Sequence, residues 1–107
     1  AAVAEACALE GLDSTIDEIW YFPPVAFDAE RVAAVRRATE AAGLSHRDMV
    51  SGAGHDACYV ARVAPTAMIF VPCKDGLSHN EAEHAEPEHL IAGCDVLLRA
   101  VLERASG

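Results

Sequence analysis

The chain has 107 residues, 52% hydrophobic and 23% charged, so it holds at most one domain and is too apolar to stay disordered. Seventeen acids against eight Lys and Arg give a formal charge of −9, which argues against nucleic-acid and anionic-membrane partners, since both call for a basic face. The apolar run 66–71 is far short of the roughly 20 residues of a membrane span, and Glu5, Glu10 and Asp13 break up any signal-peptide start, so a soluble, cytoplasmic protein is expected.

Residues 1–10 are helix formers, and Gly11 stands where a helix C-cap would, so the chain is read as starting inside a helix. Residues 14–22 carry Ile16, Ile19, Trp20, Tyr21 and Phe22, rich in strand formers, and stop at Pro23-Pro24, the best linker candidate. Asp28 caps a predicted helix over 29–42 that Gly43 closes, with Val32, Val35, Ala38 and Ala42 on its apolar side. A brief strand is expected at 49–51, then the small-residue loop Gly52-Ala53-Gly54, then a short helix over 55–64 ended by Pro65. Residues 66–71 form a continuous apolar run bounded by prolines, the pattern of a strand buried on both faces. A polar loop, 72–85, leads to a long last helix opened by Pro87 and running to about Ala105. Leu90, Cys94, Leu97, Leu98, Val101, Leu102 and Ala105 are its expected buried stripe. Strand and helix alternate, so the predicted fold class is α/β, with helices covering a sheet.

Cys7, Cys58, Cys73 and Cys94 form no C-x-x-C pair and no Cys-His cluster at zinc-finger spacing, so four free thiols are expected. Chemistry concentrates between Met49 and Glu83. The heptapeptide 51–57, SGAGHDA, sets His55 at the end of a glycine loop, where an imidazole can exchange a proton or bind a carboxylate or carbonyl. Asp56 can orient that ring or cap the next helix, although small-residue loops are common and the heptapeptide alone reads first as a plain turn with an incidental histidine. His79 follows the C-terminal end of the buried run, where α/β proteins place their sites, and Glu83 is near enough to hold the ring or its loop. Six acids and no Lys or Arg between Asp75 and Asp95 suit a divalent cation or a solvated face alike. His84 and His89 read as surface residues, and His46-Arg47-Asp48 as a turn.

SGAGHDA, then APTAMIFVPCKDGLSHNEAE, then AGCDVLLRAVLERA closely resemble the carboxyl end of the L-carbamoylase group of metal-dependent amidohydrolases. Allantoate amidohydrolase and β-ureidopropionase are relatives of that group, within the aminoacylase/carboxypeptidase clan of dinuclear metallopeptidases. The match runs from about 25 to 105. The resemblance implies a helix-flanked, mainly parallel sheet, of which this chain is a fragment. It implies that His79 is a metal ligand with Glu83 supporting it, and that Gly54 and His55 contact substrate, with Asp56 supporting. It implies that 1–22 is the tail of an inserted lid and dimerisation domain and 23–107 the last part of the catalytic domain. Zinc or manganese, a small N-carbamoyl or ureido amino-acid substrate and a homo-oligomer come with it. The family's other ligands and its general base have no counterpart here, so no complete catalytic set is expected and the chain alone is expected to be inactive. Two alternatives stand beside this reading: a non-catalytic structural or assembly domain, and a weak metal-binding module.

Overall fold

The structure is a computed structural model that describes residues 2–106. Its helices are α1 (Ala2–Glu10), α2 (Ala29–Ala41), α3 (Ala57–Val60) and α4 (Pro87–Ala105), with a 3-10 turn at Lys74–Gly76. The helix ends follow local chemistry. Asp28 adopts an extended conformation and its Oδ1 accepts the Arg31 amide at 2.9 Å, satisfying one of the free donors at the start of α2. Both α1 and α2 close on a glycine of positive φ, Gly11 at 66° and Gly43 at 69°. In each case the next amide reaches back five residues, Leu12 to the Cys7 carbonyl at 2.9 Å and Leu44 to the Thr39 carbonyl at 3.2 Å. That pattern consumes carbonyls that would otherwise be unpaired. Pro87 opens α4, where its missing N–H costs nothing. The helix expected over 55–64 is shorter, and only α3 forms from it.

The core lies between α2 and α4. Ala34 and Ala38 of the first are buried with Val96 and Ala100 of the second, and Val35 and Ile69 pack against them. Small side chains let the two helices approach closely. The bidentate Arg37–Glu103 pair spans their exposed edge, Nη2 to Oε1 at 2.5 Å. This corrects the expected stripe of α4. Leu90, Leu97, Leu98, Val101 and Leu102 are half exposed and Cys94 is exposed, while Val96 and Ala100 are covered. Helix α4 is apolar on more than one side, and the small-residue side meets α2.

The expected sheet does not form within the described residues. No strand forms among the described residues, at 14–22, 49–51 or 66–71. A strand exists only through a ladder of backbone hydrogen bonds to a neighbour, and these segments do not pair with one another. Residues 66–71 nevertheless keep the alternation of an extended chain. Ala67, Ile69 and Val71 line a groove of about 340 Å³ with Val35 of α2 and Leu90, Gly93, Cys94 and Leu97 of α4. The start of this segment is tied down by the Asp28 amide donating to the Thr66 carbonyl at 3.0 Å. Its end is held by a close approach, because a Cβ placed on Gly93 would come within 2.7 Å of Val71 Cγ1.

The whole is far from globular. A compact domain of this length has a radius of gyration of about 13 Å, whereas this chain has 19.6 Å and extents of 64 × 32 × 21 Å. Its accessible surface is 8614 Å², against about 5,700 Å² for a compact protein of its mass. No residue of α1 is buried, and Ile16, Ile19, Trp20 and Tyr21 stand exposed after it.

Candidate functional site

Residue 70 points the opposite way from Ile69 and Val71, so Phe70 faces away from the two long helices. There its ring meets the edge of the His55 ring, centroids 5.6 Å apart. The loop 51–56 thus folds over the outer side of the extended segment, and the loop that follows the segment comes to the same place. The His79 ring stands nearly perpendicular to that of His55, at 88°, with centroids 5.7 Å apart. Two histidines 24 positions apart in sequence therefore share one small region.

Each is held from its own loop. Ser51 Oγ lies 2.9 Å from His55 Nε2 and accepts the Ala53 amide at 3.2 Å. His79 has φ 56°, a conformation that favours glycine, and its amide donates to Glu83 Oε2 at 2.9 Å. The Cys73 thiol donates to Glu83 Oε1 at 3.7 Å, so both oxygens of Glu83 are engaged within the loop. Partial burial and the adjoining Glu83 carboxylate push the Cys73 thiol above its ordinary pKa and keep it protonated near neutrality. Asn80 Oδ1 accepts the Ala82 amide at 2.9 Å, and the Lys74 amide donates to the His84 carbonyl at 2.7 Å, closing the base of the loop.

The other expected residues fare differently. Asp56 begins α3 but makes no side-chain capping bond. At Gly54 an added Cβ would meet nothing within 4 Å, so no crowding within this chain explains a glycine there. His84 approaches Glu86 at 3.6 Å in its own segment, and His46 approaches Glu40 at 3.8 Å. His89, expected at the surface, is half buried, and its Nδ1 has no partner. No place in the site was expected for Ser51, Phe70 or Cys73. Ser51 stands four residues before His55, a spacing that could have suggested it. Phe70 and Cys73 become neighbours of the histidines or of Glu83 only through the fold.

Among the described residues, no three of His, Cys, Asp and Glu converge to hold a metal ion. The donor set of this chain therefore does not fit a metal on its own. His79 offers one imidazole, and Glu83 is committed to the His79 amide and the Cys73 thiol. Nor is any described helix long and apolar enough to cross a membrane.

The profile of the peptidase family M20/M25/M40 matches residues 10–103. The chain belongs to this family. It is 54% identical over 99 residues to an N-carbamoyl-L-amino-acid amidohydrolase of Rhizobium meliloti, covering 92% of this chain and 24% of that protein. An allantoate amidohydrolase of Bacillus subtilis is 37% identical over 91 residues, 85% of this chain and 22% of its own. Among solved structures, an amidase of the hydantoinase/carbamoylase family from Burkholderia multivorans superposes with a TM-score of 0.91 at 57% identity. That alignment covers 99% of this chain and 26% of the amidase. The chain thus spans about a quarter of the length of the relatives it matches.

Proposed function

We propose that this chain is the carboxyl-terminal part of an amidohydrolase that cleaves linear C–N bonds in small N-carbamoyl or ureido amino-acid-like substrates. The single observation that carries the reading is the meeting of His55 and His79 at 5.7 Å, in a chain whose relatives bear amidohydrolase names. In this reading His55, with the Gly54 backbone beside it, contacts substrate near the scissile group. His79 is one ligand of a zinc or manganese site whose other ligands come from outside these 107 residues. Glu83 supports it by fixing the loop backbone.

The same reading accounts for the unpaired segments. Residues 66–71 are an interior strand whose neighbours lie outside this chain, which restores the helix-flanked parallel sheet. Residues 1–22 are the end of a lid and dimerisation domain, and Pro23-Pro24 marks the return into the catalytic domain at 23–107. The exposed Ile16, Ile19 and Trp20 fit a segment that belongs against another body. The active form is a homo-oligomer, and the chain by itself does not turn over substrate.

The test is a chimera in which this chain replaces the matching segment of the Rhizobium meliloti enzyme. Release of ammonia from an N-carbamoyl-L-amino acid, lost in His55→Ala and in His79→Ala, is the expected result. A folded chimera without activity would overturn the reading. Activity on allantoate instead would keep the amidohydrolase class and change the substrate.

A further inference from the structure

Ser51 and His55 are both half buried, four residues apart in the glycine loop, and their contact is short: Oγ to Nε2 at 2.9 Å. We propose that Ser51 is a positioning residue that fixes the tautomer of His55, placing the ring proton on Nδ1 and making Nδ1–H the group His55 presents to a substrate oxygen. A serine hydroxyl has one proton and two lone pairs. The Ala53 amide occupies one lone pair at 3.2 Å. The proton then has two acceptors in reach, His55 Nε2 at 2.9 Å and the Ala53 carbonyl at 3.4 Å. Protein O–H···O bonds fall at about 2.5–3.0 Å, so the Ala53 carbonyl at 3.4 Å is the weaker acceptor, and we assign the hydroxyl proton to Nε2. A neutral imidazole that accepts at Nε2 carries its hydrogen on Nδ1.

The chemistry this selects is specific. An Nδ1–H donor suits a carbonyl or carboxylate oxygen, the acceptors carried by an amide-bearing acid, and it cannot act as a base through Nε2 while Ser51 holds that atom. The tautomer stands on the loop geometry alone, while its consequence for turnover rests on the amidohydrolase reading.

Two measurements separate these. The first is nitrogen NMR of the folded chimera described above, isotopically labelled at histidine, above about pH 8, where an ordinary imidazole is neutral. His55 should show a protonated Nδ1 and an unprotonated Nε2. Ser51→Ala should lose that pattern, and Ser51→Thr, which keeps the hydroxyl, should restore it. A protonated Nε2 in the parent chimera, or an unchanged pattern in Ser51→Ala, overturns the proposal. The second measurement uses the chimera described above. Ser51→Ala should lower kcat/KM about three- to tenfold, the scale of one net hydrogen bond, with recovery in Ser51→Thr. Equal losses in both variants would reduce Ser51 to a packing role. An inactive parent chimera would sink the amidohydrolase reading and leave the NMR pattern to judge Ser51.

Discussion

His79 is the most constrained residue of the site. A non-glycine residue at positive φ costs about 1–2 kcal/mol, and such outliers persist only where neighbours hold them. Here the holder is Glu83, which takes the His79 amide at 2.9 Å and is itself fixed by the Cys73 thiol. In the chimera, Glu83→Ala is therefore expected to lower activity by about tenfold or more, because the freed loop no longer presents the imidazole in one place. Glu83→Gln keeps an acceptor for the amide and should lose less. Equal losses in the two variants, measured as ammonia release, would show that the charge of Glu83 matters rather than its grip on the backbone. A histidine after an apolar run is a chemical signal, so position 79 could be singled out in the sequence, and the structure sets it beside His55. The grip itself was legible only as a four-residue spacing, since a backbone angle leaves no mark in composition. Ser51 and Cys73 were not legible as partners, since their roles depend on loops folding over residue 70.

Among the elements, those fixed by local chemistry were the readable ones. Asp28, Gly11 and Gly43 announce helix ends through bonds made within a few residues, and Pro87 announces the start of α4 through its fixed φ and missing N–H. Strand pairing and the buried side of α4 are non-local. They depend on which surfaces meet, and Leu97 and Leu98 are as apolar as Val96 while remaining half exposed. Gly93 shows the same dependence. In an exposed helix Gly→Ala gains about 1 kcal/mol, but overpacking typically costs about 1–3 kcal/mol. Val71 Cγ1 would lie 2.7 Å from the new methyl on a stiff β-branched side chain. Gly93→Ala should therefore destabilise the packing of 66–71 on α4, and Val71→Ala beside it should relieve the clash. A raised melting temperature for Gly93→Ala alone, followed by circular dichroism, would contradict the close approach. The Arg37–Glu103 pair sets a pH dependence. The hydrogen bond from Arg37 holds the Glu103 carboxyl below its ordinary value of 4.5, so the pair's contribution is complete above that value. It is lost as pH falls through the depressed pKa. Acid titration of the helical signal should show α2–α4 loosening as pH falls through the lowered Glu103 pKa, with Glu103→Gln removing that part of the transition.

For the whole molecule, a radius of gyration of 19.6 Å and four buried residues among those described mark a chain whose apolar faces await cover. Groups such as Ile19 at 95% exposure and Trp20 at 73% favour association, restrained in part by the charge of −9. Sedimentation of the isolated chain should reveal self-association and a broad melt. A compact monomer with a sharp cooperative transition would mean that it folds as an independent domain. In the proposed function, His79 is a metal-binding imidazole of a site completed from outside this chain. Metal analysis of the chimera, its His79→Ala variant and the isolated chain, after identical dialysis against zinc, tests this most directly. Metal retained by the chimera, diminished in His79→Ala and absent from the isolated chain is the predicted result, whereas a stoichiometric ion held by the isolated chain, or an unchanged content in His79→Ala, would contradict it.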